Sequence, residues 1–125
     1  METPARARNL RQSLAFALSG LIHAARSQSN LRIHVAIAAL VVAAGLVLRI
    51  SRFEWALIAA LIAMVIALEL LNTAIEAVVD LASPSIHPLA KTAKDTAAAA
   101  ILVAAAGSVV TGLFIFLPRL WQLIL

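Results

Sequence analysis

The sequence predicts an all-α membrane protein: three transmembrane helices preceded by an N-terminal amphipathic helix at the membrane surface. Three observations carry this. Of 125 residues, 63% are apolar and 13% charged; soluble domains carry fewer apolar and about twice as many charged residues. Residues 33–48, 55–68 and 96–118 contain no charged side chain. Ahead of them, apolar residues recur at helical spacing among polar ones. The length leaves room for one unit, so residues 1–125 are read as a single membrane domain.

Residues 1–8 form a basic start that includes Arg6 and Arg8. Over about 9–28, Leu10, Leu14, Leu18, Leu21, Ile22 and Ala25 recur at helical spacing among Arg11, Gln12, Ser19 and Arg26. This is the pattern of a helix lying in the membrane interface, or packed on its own bundle. A helix needs about 20 residues to cross the hydrocarbon core. The stretch 96–118 meets this alone, and the first two meet it with their polar flanks. The spans are therefore placed at about 32–49, 53–81 and 95–118. Arg49-Ile50-Ser51-Arg52 makes the first turn. Pro84 and Pro88 break helical hydrogen bonding and make residues 83–88 a loop. Residues 1–48 do not read as a signal peptide, because the apolar stretch begins late and no soluble domain follows.

The basic residues set the expected orientation. Arg6, Arg8, Arg11, Arg26 and Arg32 precede the first span, and Lys91 and Lys94 follow the second. Arg49, Arg52 and Arg119 fall on the other side. Seven against three puts the N-terminus and the 82–95 loop in the cytoplasm, in a multi-pass protein of the inner (plasma) membrane. Topology thus accounts for the net charge of +4. Nucleic acid is excluded as a partner, because no basic cluster with interleaved aromatics exists to bind it. The lack of cysteine excludes disulfides and cysteine-based metal or redox chemistry.

Chemistry concentrates in one stripe. Glu69, Asn72, Glu76 and Asp80 follow the i, i+3, i+7, i+11 spacing of one helical face, directly after fourteen apolar residues at 55–68. An acid at the end of such a run is costly to place near lipid and marks a functional site. Glu76 lies about 10 Å beyond Glu69 along the axis. Glu69 therefore falls at the lipid boundary, and Glu76 and Asp80 fall nearer water. Lys94 and Asp95 gather at the same end, with Gln28, Asn30, Arg32 and His34 from the first span. Carboxylates with an amide suit Mg²⁺. A Lys beside an Asp suits phosphate, and a carboxylate at the lipid boundary can take a proton from a lipid hydroxyl. These are parts of phosphoryl transfer. The four glycines are scattered, so no Walker-type loop holds a nucleotide. Neither a GxSxG nucleophile nor a His-Glu-x-x-His zinc motif occurs.

The segments Glu-Leu-Leu-Asn-Thr-Ala-Ile-Glu-Ala-Val-Val-Asp (69–80) and His-Pro-Leu-Ala-Lys-Thr-Ala-Lys-Asp (87–95), with the Ala-rich third span, closely resemble the small prokaryotic diacylglycerol kinase/undecaprenol kinase family. Asn30-Leu31-Arg32-Ile33-His34 looks like the undecaprenol kinase branch. The resemblance covers nearly the whole chain from about Ser19. It implies a homotrimer with active sites between subunits, using ATP and Mg²⁺. It implies Glu69 as the catalytic base facing the lipid substrate, with Asn72 and Glu76 serving metal and nucleotide. Lys94 and Asp95 contact the nucleotide, and the 85–87 loop, with Ser85 and His87, lies against it. Gln28 stands where the family commonly has a second metal-binding Glu, so the metal set is Glu76 with the neutral amide of Gln28. Asn9 and Phe16 replace polar or basic nucleotide contacts of some relatives, which Arg8 or Arg11 can substitute.

The reaction this implies is ATP-dependent phosphorylation of a lipid alcohol, undecaprenol or diacylglycerol, at the cytoplasmic membrane interface. It would feed phospholipid synthesis or recycling of a cell-wall lipid carrier. The rivals are a non-catalytic transport or assembly subunit and a lipid phosphatase. Among single residues, Glu69 is also readable as a neutral interior acid and Asn72 as interhelical glue. Asp80 reads as a helix-end residue, Asp95 as a cap of the third helix, and Arg32 as a lipid-phosphate or substrate contact. His34 reads as a structural interface residue, His23 as surface-facing, Trp55 and Trp121 as an aromatic belt, and Gly107 as a close helix contact.

Overall fold

The computed structural model describes residues 9–125, so Arg6 and Arg8 lie outside the described residues. Four helices follow in order: α1 (Leu10–Ser27), α2 (Ser29–Val47), α3 (Arg52–Ala82) and α4 (Pro88–Ile124). The last three are long and apolar enough to cross a membrane. At 1.5 Å per residue α3 and α4 are about 46 and 55 Å long, well beyond a hydrocarbon core of about 30 Å. Each is long enough to carry turns outside the lipid, and the stripe occupies the last turns of α3.

The helix ends are closed by local chemistry. Asn9 caps α1, its Oδ1 accepting from the Gln12 N–H at 3.0 Å. α1 breaks from α2 at Gln28, whose backbone is extended (φ −110°, ψ 111°). The last carbonyls of a helix lack helical donors. Here Gln28 N–H donates to Ala24 O at 2.8 Å, and Arg32 Nη1 donates to Ala25 O and Arg26 O at 3.0 Å each. Arg32 thereby sets a positive charge on the negative pole of α1. At the end of α2, Ile50 N–H donates to Gly45 O at 3.2 Å across Arg49, which has φ +50°. This is the long bond of a Schellman closure, with arginine in the left-handed position where glycine is usual. α3 opens with a capping box: Glu54 N–H donates to Ser51 Oγ at 3.2 Å, and Ser51 N–H to Glu54 Oε2 at 2.7 Å.

α4 extends past the expected span at both ends. It begins at Pro88, with His87 as N-cap: His87 Nδ1 accepts from Leu89 N–H at 3.1 Å. Proline suits the first turn because no helical acceptor awaits its missing N–H. The reading of Asp95 as a cap is thus corrected. Asp95 sits two turns inside α4 and pairs with Lys91, one turn away. The helix also runs through Pro118 to Ile124. Near that proline, Arg119 Nη1 and Nη2 reach Glu54 Oε1 and Oε2 at 2.7 and 2.6 Å, and Nη1 also donates to Ile115 O at 2.9 Å. This two-bond link joins the start of α3 to the end of α4.

α3 packs most extensively on α4, and α2 packs on α3. The buried cluster Ile50, Ile58 and Ile115, with Val41, Trp55, Ile62 and Phe116 against it, sits at the end opposite the stripe. Trp55 is half-buried there, near the start of α3. Its place has a steric reason: a Cβ on Gly45 would stand 2.8 Å from Trp55 Cη2, so glycine opens the slot the indole fills. Gly107 makes no close contact with another helix of this chain. Ile101, Ala104 and Ile115 mark the packed face of α4, and Gly107 lies about 90° from it. Within the chain a Cβ at Gly107 meets nothing within 4 Å.

Candidate active site

Glu69 and Asn72 are the buried polar residues among those described, 2% and 7% exposed. They lie on one face of α3, which carries them under α2 and α4. A buried carboxylate is costly unless it is bonded. The Oε1 of Glu69 stands 3.1 Å from His34 Nε2 on α2. Among the described residues Glu69 Oε2 has no partner. Thr73 Oγ1 donates to the backbone carbonyl of Glu69 at 2.9 Å and leaves the carboxylate alone.

One turn on, Asn72 Nδ2 donates to Glu76 Oε1 at 3.1 Å. Asn72 Oδ1 is buried with no partner. An orphaned buried acceptor is rare in folded proteins and calls for a function or ligand. Asn72 Oδ1 and the Glu76 carboxylate form an oxygen donor set that fits Mg²⁺. That ion is commonly held by one or two carboxylates together with substrate phosphates and water. No group of three or more His, Cys, Asp or Glu side chains placed to hold a metal ion occurs among the described residues. Gln28 is half-buried at the α1–α2 corner.

Beyond Glu76 the same end carries ion pairs. Lys94 Nζ lies 2.5 Å from Asp80 Oδ1 and ties α4 to α3, while Lys91 pairs with Asp95. Both expected nucleotide contacts, Lys94 and Asp95, thus already have partners of opposite charge. Ser85 lies in the short segment between α3 and α4, its carbonyl accepting from Ser83 Oγ at 3.0 Å. Because His87 Nδ1 is the helix cap, Nε2 is the ring atom left for a ligand. Arg32, expected at substrate, is exposed and bonded to the end of α1.

Behind Glu69 an apolar cavity of about 220 Å³ runs between α2, α3 and α4. His34 lines it, as do Val41, Ile58, Val65 and Phe116; Ser108 is its other polar residue. The cavity is a partly open groove with almost wholly hydrocarbon walls, a surface that suits an apolar chain. The arrangement is a buried acid with one open oxygen, hydrocarbon space on one side, and oxygen donors and ion pairs on the other. Sequence reasoning counted His34 at this end but read it as structural. The available signal was its position as the lone polar residue of the 33–48 stretch.

An integral membrane kinase is the class this fold and site define. The chain belongs to the prokaryotic diacylglycerol kinase family, whose sequence model matches residues 15–116. It is 46% identical over 109 residues to the undecaprenol kinase of Bacillus subtilis (strain 168), covering 87% of this chain and 89% of that one. It is 42% identical over 116 residues to a diacylglycerol kinase of Synechocystis sp., covering 92% of this chain and 66% of that one. With a diacylglycerol kinase of Pseudomonas aeruginosa it shares 39% identity over 89 residues, 71% and 72% of the two chains. It is therefore an enzyme of a lipid kinase family, and neither the transport-subunit nor the phosphatase reading is favoured.

Proposed function

We propose that this protein transfers the γ-phosphate of ATP to the hydroxyl of a membrane lipid alcohol at the cytoplasmic face of the inner membrane. Buried Glu69, with one open carboxylate oxygen beside an apolar cavity, carries the reading. A lipid chain occupies hydrocarbon space while its hydroxyl meets the acid. Glu69 takes the hydroxyl proton, the lipid oxygen forms a bond to the γ-phosphorus, and the bond to the bridging oxygen breaks, releasing ADP. Such a base contributes about 10²–10⁴ in rate.

Asn72, Glu76, Ser85, His87, Lys94 and Asp95 bind the nucleotide. For Lys94 this means exchanging Asp80 for phosphate, a swap that neutralises the incoming charge. Glu76, with Asn72 and Gln28, would hold Mg²⁺, which supplies charge neutralisation on the phosphate oxygens. Arg32, fastened to α1 and still exposed, lies at the lipid boundary for the substrate's polar end. α1 lies in the membrane interface, and the N-terminus and the 82–95 loop are cytoplasmic. A homotrimer completes the site between subunits. Undecaprenol is the favoured substrate over diacylglycerol, on the Asn30–His34 and His87–Asp95 segments. The product then feeds cell-wall lipid-carrier recycling; with diacylglycerol it would feed phospholipid synthesis.

The test is purified protein in detergent with Mg²⁺ and labelled ATP, offered undecaprenol and diacylglycerol separately. Label should enter one lipid, and Glu69→Gln should assemble normally yet lose turnover by about 10³-fold, within the usual range for a base. Near-normal turnover in Glu69→Gln would remove the base assignment.

A further inference from the structure

We propose that His34 is the positioning residue for Glu69, an inference that rests on the kinase reading above. His34 Nε2 stands 3.1 Å from Glu69 Oε1, and the acid is 2% exposed. The two atoms form a close polar contact, and between an imidazole nitrogen and an ionised carboxylate only the nitrogen can carry the proton. No neighbour on α3 does this work. Thr73 Oγ1 bonds the Glu69 backbone, and Asn72 Nδ2 bonds Glu76. The side chains a turn before Glu69, Val65 and Ile66, are hydrocarbon and line the cavity. Without His34 the carboxylate has no polar side-chain contact among the described residues. With it, Oε1 is held and Oε2 is the oxygen left for the hydroxyl proton.

Placement supports the same role. His34 is the lone polar side chain in residues 33–48, and its ring also walls the apolar cavity. One residue thus touches both the space for the lipid chain and the acid that meets the chain's hydroxyl. A misplacement of about 1 Å in a reacting group can cost about a hundredfold in rate.

Two variants of similar length decide the matter in the full-length protein. His34→Gln keeps an N–H donor, and His34→Met has none. Using whichever of undecaprenol and diacylglycerol the wild type phosphorylates, His34→Gln should retain kcat within about tenfold, and His34→Met should lose about a hundredfold, the scale of a misplaced group. KM for ATP and for lipid should not move in either. In the Glu69→Gln background, His34→Met should cause no further loss, because the group it positions is gone. Equal kcat in the two variants, or a full additional loss in the Glu69→Gln background, would overturn the proposal. An inactive wild type would instead overturn the kinase reading itself.

Discussion

Each of the five described acids has a different partner, and the partner sets what it can do. Glu54 is held by Arg119, Glu69 by His34, Glu76 by Asn72, Asp80 by Lys94 and Asp95 by Lys91. Only Glu69 is both buried and left with an open oxygen in apolar surroundings. That combination separates a base from a structural ion pair. Gln28 is the residue where charge is missing: its amide can offer Mg²⁺ an oxygen but no counter-charge. Gln28→Glu should lower the Mg²⁺ concentration giving half-maximal activity, measured by titrating Mg²⁺ at saturating ATP. An unchanged titration would remove Gln28 from the metal set.

At the scale of the helices, the end opposite the site is the anchor. Gly45 admits the Trp55 ring between α2 and α3, and a Cβ there would come within 2.8 Å of it. Gly45→Ala should destabilise the protein by about 1–3 kcal/mol, as overpacking does, read as a lower melting temperature in detergent. Trp55→Phe in the same background should recover part of the loss, because the smaller ring vacates the clash. Glu54 serves two elements at once, closing the capping box of α3 and gripping Arg119 on α4. Glu54→Gln leaves a part-buried guanidinium without its counter-charge. It should lower the melting temperature more than Ser51→Ala, which removes the cap bond alone. Equal shifts would mean that the link to α4 adds nothing.

For the whole molecule the outer surface is decisive. A soluble monomer of this mass exposes about 6,400 Å², whereas this chain exposes 9671 Å². Much of the excess is large apolar side chains such as Leu40, Val47, Leu102 and Phe114. Such a surface needs lipid or further subunits against it. The proposed orientation puts Ser85 in the cytoplasm. With no native cysteine to interfere, Ser85→Cys should react with a membrane-impermeant maleimide in inside-out vesicles and stay unlabelled in right-side-out spheroplasts. Labelling in spheroplasts would invert the topology.

The sequence by itself determined the helices and the stripe. Apolar runs that, with their flanks, reach across a bilayer leave a backbone few choices, since helices satisfy every hydrogen bond internally. Period 3.6 then places Glu69, Asn72, Glu76 and Asp80 on one face whatever α3 packs against. Family membership was also legible, because 69–80 and 87–95 are contiguous segments whose residue types carry the site. What only the tertiary structure decided is which partner each of those residues meets. His34 and Glu69 are 35 positions apart in the chain, as are Glu54 and Arg119 at 65. Period and composition say nothing about which helix lies beside which. Trp55 and Gly45 meet for the same reason: an aromatic or a glycine acquires meaning from the atoms opposite it. The burial of Glu69 under α2, with His34 on one oxygen and hydrocarbon space beyond, exists only once the helices are packed.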